Sequence, residues 1–165
     1  MSSYYLGLDQ GTTGTTAMIF DENWNKVARG YKEHKQYYPN PGWVEHDPME
    51  IWRNVLETID MATKEAGISE EDLTCIGLDN QGETVMLWDS VSGVPVYNAI
   101  VWQDRRTAEE ADKIAEKYGD IIREKTGLIV DAYFSATKIK WIIDNVKGVK
   151  EKIEQGRIIA GTLDT

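Results

Sequence analysis

The chain has 165 residues, 41% of them hydrophobic, which is ample for one folded domain with its own core and too apolar for a disordered tail. Lys and Arg number 18 against 28 Asp and Glu, and the resulting charge of −10 opposes binding to nucleic acid or an anionic membrane surface, so any phosphate must be held by local geometry. The single cysteine, Cys75, excludes an intramolecular disulfide, residues 1–8 carry no basic leader, and no uncharged run approaches the ~18–20 residues of a membrane span; the expectation is a cytoplasmic protein without a membrane partner.

In chain order, residues 4–8 form a short apolar run that stops at Asp9, and residues 15–20 form a second run rich in β-formers. The turn-forming Gln10-Gly11-Thr12-Thr13-Gly14 lies between them, so the pair predicts a hairpin. A polar turn at 21–25 leads to a third strand at 26–32. Residues 37–46 contain Pro39, Pro41 and Gly42 and predict an ordered loop. Asp47 has the form of a helix N-cap, with Pro48 in the first helical position and Glu50 placed for a capping box. Trp52, Val55, Leu56, Ile59 and Ala62 follow at helical spacing, and Gly67 is a natural stop.

Residues 75–78 are apolar, follow that helix and end at Asp79, which predicts a strand parallel to the first. Residues 85–88 and 99–102 are further short strands, separated by a turn around 89–93. Thr107 with Glu110 makes a second capping-box pattern, opening a helix that should end near Tyr118-Gly119. Ser135 opens a third helix with Ile139, Ile142, Ile143 and Val146 on one face, and residues 157–163 predict a final strand. This order is that of an α/β, actin-like (ribonuclease-H-like) half: a mixed sheet with a three-strand meander, then parallel strands and helices. No internal repeat or flexible linker is present. The last strand reads as interrupted, so residues 1–165 are expected to be an incomplete N-terminal domain with an unpaired edge prone to self-association.

Three segments can carry chemistry. In Asp9-Gln10-Gly11-Thr12-Thr13-Gly14, two glycines allow close backbone approach and successive amides can form an anion nest, while Asp9 can hold a hydrated Mg²⁺; the same residues also suit a plain hairpin turn. Asn80-Gln81-Gly82-Glu83-Thr84 follows the carboxyl end of a predicted strand, where open α/β sheets bind ligands. Glu83 can accept two hydroxyl hydrogen bonds there, or the segment is a solvated turn. In the segment from Ile100 to Thr107, Trp102 is either core or a flat wall for the C–H face of a polyol, and Asp104, Arg105 and Arg106 suit a structural ion-pair cluster. Tyr133 precedes a helix N-cap and is undecided between core and ligand contact. His34 and His46 are too isolated for a metal site or triad, and neither receives a catalytic role.

Taken together, Gly7-Leu8-Asp9-Gln10-Gly11-Thr12-Thr13, Pro41-Gly42-Trp43-Val44-Glu45-His46-Asp47-Pro48 and Asn80-Gln81 with Glu83-Thr84 resemble the glycerol kinases, within the carbohydrate-kinase family with an actin-like fold. So do the segment from Pro95 to Thr107, which includes Trp102-Gln103-Asp104-Arg105-Arg106, and Tyr133-Phe134-Ser135-Ala136-Thr137-Lys138. The resemblance covers essentially the whole chain. It implies an enzyme of two actin-like domains that transfers the γ-phosphoryl of ATP to a polyol hydroxyl, with Mg²⁺, and that assembles as a homo-oligomer when complete. By that resemblance Asp9 belongs to the metal and phosphate environment, Gly11, Thr12, Thr13 and Gly14 to a phosphate-binding hairpin, and Gln81, Gly82, Glu83, Trp102 and Tyr133 to the polyol pocket. The catalytic base and the adenine-binding half are expected beyond Thr165.

Two positions depart from the resemblance. Glycerol kinases carry Asn-Gln-Arg-Glu-Thr where this chain has Gly82, and Gly-Thr-Thr-Ser-Ser-Arg where it has Gly14-Thr15-Thr16, so two guanidinium groups are replaced. A pocket that loses a bidentate donor gains room. The alternatives to glycerol are therefore a larger polyol or sugar of the erythritol or pentulose type, and a further alternative is a non-catalytic actin-like binding half.

Overall fold

The computed structural model describes residues 3–165. Along the chain run β1 (Tyr4–Gln10), β2 (Gly14–Phe20), β3 (Lys26–Glu33), β4 (Glu45–His46), α1 (Pro48–Ala66), β5 (Leu73–Asn80), β6 (Met86–Asp89), β7 (Ala99–Ile100), α2 (Ala108–Thr126), α3 (Ser135–Asn145), α4 (Val149–Glu154) and β8 (Ile158–Gly161). They divide into two compact units, one formed by residues 3–35 and by Asp47–Gln81, the other by Gln36–His46 and Gly82–Leu163.

The first unit is the expected mixed sheet, in the order β3-β2-β1-β5, antiparallel across the meander and parallel between β1 and β5. Period-2 alternation turns Leu6, Leu8, Ala17, Ile19 and Ala28 to one face, where they are buried with Ala62 of α1. Asp47 caps α1 through Met49 N at 2.8 Å, and Gly67 ends it in the left-handed conformation at φ 68°. The capping box does not form, because Glu50 Oε1 accepts from Lys35 N at 3.2 Å instead. Trp52 and Leu56 are 55% and 49% exposed, and the helix presents Ile51, Asn54, Thr58 and Ala62 to the core.

Gly30 explains that choice of face. A Cβ there would lie 2.1 Å from Thr58 O, so α1 rests directly on the backbone of β3 and only a small residue fits beneath it. Gly30→Ala is expected to force the helix off the sheet and destabilise the unit by about 3 kcal/mol. A fall in the urea midpoint at unchanged slope checks this; an unchanged midpoint would show that the helix can shift without loss.

β5 lies at the edge of this sheet, and α1 does not cover it. Ile76 and Leu78 are therefore 57% and 50% exposed and Cys75 is exposed, although the segment reads as apolar.

The second unit departs further from expectation. Residues 37–46 are not all loop, since Glu45–His46 pair antiparallel with Ala99–Ile100, and that strand stops two residues short of the predicted end. The last strand does not extend the parallel sheet: β8 pairs antiparallel with β6 in a two-stranded sheet. Val85, Leu87, Ile100, Ile142 and Val149 form the core, with Ile139, Ile143 and Val146 against it as the spacing predicts. Thr107 makes no capping bond; its hydroxyl meets that of Thr137 at 2.9 Å in the interior. α2 runs through Gly119 to Thr126, because one internal glycine costs about 1 kcal/mol, too little to stop a helix of otherwise good formers. The short α4 was not anticipated by the pattern. Asp89 anchors the turn after β6: Lys152 and Arg157 hold its carboxylate down to about 2, at 3.0 and 2.6 Å.

Candidate functional site

The first group of candidate residues lies in the first unit, where β1 turns into β2. Gly11 N donates to Gly14 O at 2.9 Å, closing the turn around Thr12 and Thr13. A side chain on Gly14 would meet Lys32 O at 2.7 Å and the Tyr31 ring at 3.0 Å, so the tight β2–β3 contact requires glycine and keeps the turn narrow. Gln81, expected in the polyol pocket, reaches this turn: it is buried, and its Nε2 donates to Gly11 O and Gln10 Oε1, both at 3.2 Å. His34, given no role from sequence, packs beneath the turn. Its N donates to Thr13 O at 3.3 Å, and burial lowers the pKa of its ring against the opposing pull of the Thr12 backbone and Glu50.

Asp9 is exposed at the carboxyl end of β1, and its register partner across the parallel pair is Asp79. The two strands carry the same pattern in register, Gly7-Leu8-Asp9-Gln10 beside Gly77-Leu78-Asp79-Asn80. Both aspartates line one concavity of about 630 Å³, together with Gly7, Thr16, Gly77 and Arg29. Neighbouring like charges on adjacent strands repel, and a cation is the natural relief. Among the described residues no three His, Cys, Asp or Glu side chains group as a metal cage, so an ion at Asp9 would complete its shell with water or ligand oxygens, as Mg²⁺ does. The donor set thus fits a hydrated divalent ion.

The second group lies in the second unit and is more tightly built. Glu83 adopts φ 63°, rare for a residue with a side chain, and its Oε2 accepts from Ser135 N at 2.7 Å and Ser135 Oγ at 2.5 Å. Trp102 N donates to Thr84 Oγ1 at 3.1 Å. The Trp102 ring meets Tyr133 edge-on, centroids 5.9 Å apart, and Tyr133 meets Phe134 at 5.1 Å. Tyr133 is 39% exposed, so it is not a core tyrosine. Hydrogen bonds through Ser135 and Thr84 and one ring contact thus link segments up to 50 positions apart that bear a carboxylate and two aromatic rings, groups suited to hydroxyls and C–H groups together. Gly82 is exposed, and a Cβ built on it meets nothing within 4 Å.

Arg106 has the structural role expected of it. Its side chain is 0% exposed, pairs with Asp104 and Glu45 at 2.8 Å each, and lies over the Trp43 ring at 3.8 Å and near Trp141 at 4.6 Å. Asp104 in turn accepts from Val44 N at 2.7 Å, and Tyr97 and Asn98 donate to Glu45 at 2.7 and 2.9 Å. Arg105 makes an exposed pair with Asp131.

Residues 4–164 match the N-terminal domain of the FGGY family of carbohydrate kinases. The chain is 58% identical over 163 residues to glycerol kinase 2 of Thermotoga maritima and 55% identical to a glycerol kinase of Ligilactobacillus salivarius, in each case over 98% of its own length. It spans about a third of those relatives, 33% and 32% respectively. Among solved structures, Plasmodium falciparum glycerol kinase with ADP superposes on 99% of this chain and 33% of its own at TM-score 0.88 and 38% identity. A xylulose kinase from Brucella ovis gives 0.81 at 29% identity over 97% of this chain and 32% of its own. A family match over nearly the whole chain, with the same fold in the solved relatives, establishes that the chain belongs to the FGGY family of carbohydrate kinases.

Proposed function

We propose that the full-length protein transfers the γ-phosphoryl group of ATP to a terminal hydroxyl of a small polyol, with glycerol the leading substrate, and that this chain supplies the phosphate hairpin and part of the polyol pocket. The observation that carries the reading is the Glu83 carboxylate, anchored through one oxygen by Ser135 beside Trp102 and Tyr133. Such a carboxylate can accept hydroxyl hydrogen bonds while the rings take the carbon skeleton. The relatives named glycerol kinase support the substrate class. In the transfer, a bond forms between the acceptor oxygen and the γ-phosphorus, the bond to the β–γ bridging oxygen breaks, and the acceptor proton passes to a base that this reading places outside residues 1–165.

Within this reading Gly11, Thr12, Thr13 and Gly14 hold phosphate oxygens through the backbone and hydroxyls of a narrow turn, with Gln81 bracing it. Asp9 would hold Mg²⁺, which when bound would supply positive charge for the transferring phosphoryl group. Gln81, which the resemblance puts in the polyol pocket, supports this turn through its N and Nε2, which donate to Gln10 and Gly11.

Gly82 favours a second reading, a polyol longer than glycerol. The open space about its Cβ position leaves room for either a longer substrate or an arginine. Gly82→Arg is expected to raise kcat/KM for glycerol relative to erythritol and xylitol by about tenfold, the scale of one pocket contact. A substrate panel with coupled detection of ADP checks both readings. No turnover with any polyol or sugar would overturn the kinase reading, and a strong preference for glycerol in the unaltered protein would remove the second.

A further inference from the structure

Lys138 lies in α3, and neither the phosphate hairpin nor the polyol contacts account for it. Its side chain is 0% exposed, yet it carries an ammonium. Nζ donates to Glu83 O and to Tyr133 O, both at 2.6 Å. The carboxylates of Glu83, Asp104 and Asp131 face the ammonium and favour its charge, while burial, the larger influence, pulls it down to about 8. A lysine is buried at this cost only where its donors are well used.

The acceptors are informative. Glu83 holds a left-handed φ of 63°, which costs of the order of 1–3 kcal/mol and persists only where neighbours over-determine it. Ser135 fixes the end of the Glu83 side chain and Lys138 fixes its backbone carbonyl, both from the first turn of α3. The second carbonyl belongs to Tyr133, whose own N is tied to Asp131 at 2.7 Å. One ammonium thus bridges two chain segments 50 residues apart, each bearing a candidate polyol contact.

We propose that Lys138 is a positioning residue for the polyol: its ammonium cross-ties the carbonyls of Glu83 and Tyr133, so that the carboxylate and the aromatic ring are held at one fixed spacing. The inference rests on the reading of Glu83 and Tyr133 as polyol contacts. A tie of this kind acts on substrate binding and transition state alike, so its loss raises KM for the polyol more than it lowers kcat, and it leaves the nucleotide untouched.

The test uses the full-length protein with glycerol and erythritol as probes. Lys138→Met keeps the length of the side chain and removes the donors. Polyol KM is expected to rise about tenfold or more, the scale of losing charged hydrogen bonds, with ATP KM within about twofold. Lys138→Arg, which keeps charge and donors, is expected to recover most of the loss. Glu83→Gln is measured beside them. If it raises polyol KM and Lys138→Met does not, the tie is overturned and the polyol reading stands. If Glu83→Gln leaves polyol KM unchanged, the polyol reading falls and the tie with it. Should Lys138→Met not fold, Lys138→Arg decides: a polyol KM near the unaltered value upholds the tie, whereas a raised one, or failure of both variants to fold, assigns the lysine to the fold alone and overturns the proposal.

Discussion

Asp9→Ala in the full-length protein is expected to lower kcat by about a hundredfold to a thousandfold, the range seen when one preorganised electrostatic partner of a transition state is removed. Polyol KM should change by less than about threefold under the proposed role, because the cation that Asp9 would hold meets charge that develops during transfer and not the resting polyol. Asp9 is exposed and faces Asp79 across the parallel pair, so its removal relieves a repulsion and thermal stability should not fall. That separates the variant from one that merely damages the hairpin. Steady-state kinetics at several Mg²⁺ concentrations, with a thermal melt of the same sample, is the measurement. Equal effects on kcat and polyol KM, or none on either, would reduce the hairpin to a structural turn.

The second large effect concerns stability. Arg106→Met strips the counter-charge from Asp104 and Glu45, which are 0% and 3% exposed, and is expected to cost about 3–5 kcal/mol, since an orphaned buried carboxylate is worse than none. Arg106→Lys should recover little of this. A lysine cannot present the flat guanidinium that lies over Trp43 and beside Trp141, nor reach both carboxylates with paired donors. Urea unfolding of the full-length variants measures both. A loss below about 0.5 kcal/mol, the size of an ordinary surface change, would mean that water reaches the cluster and replaces the arginine.

Asp9 and Arg106 differ in how much of their role local sequence shows. Asp9 was legible because a glycine-rich turn between two β-rich runs is a local pattern, and the structure keeps that hairpin. The cap at Asp47 and the left-handed stop at Gly67 were legible for the same reason, being set by residues within a few positions of each other. Arg106 was legible only as a structural charge. Its partners Glu45, in β4, and Trp43, just before that strand, lie some 60 positions earlier, and no spacing rule links them.

The failures are of one kind. Glu50 and Thr107 had the right neighbours for capping boxes, but each found a partner from elsewhere, Lys35 N and the Thr137 hydroxyl. Trp52 and Leu56 fit a helical stripe, yet Gly30 selected a different face by allowing the backbone of β3 to touch Thr58. The Asp79 pairing did leave a signal, the Gly-Leu-Asp pattern shared by β1 and β5, and register turned it into adjacency. Lys138 left none that periodicity could detect.

Composition and local pattern by themselves determined the mixed α/β order, the meander, the main helix with its cap and stop, and the segments in which chemistry could lie. These depend on interactions between residues near in sequence, where backbone preference and side-chain spacing act without knowledge of the rest of the chain. Only the tertiary structure decided that Gln81 bonds to the hairpin, that the Trp102 and Tyr133 rings meet, and that a buried ammonium ties the backbones of Glu83 and Tyr133 together. Those outcomes depend on which distant groups meet once the core closes, and a buried polar group accepts whatever partner the packing brings within hydrogen-bond reach.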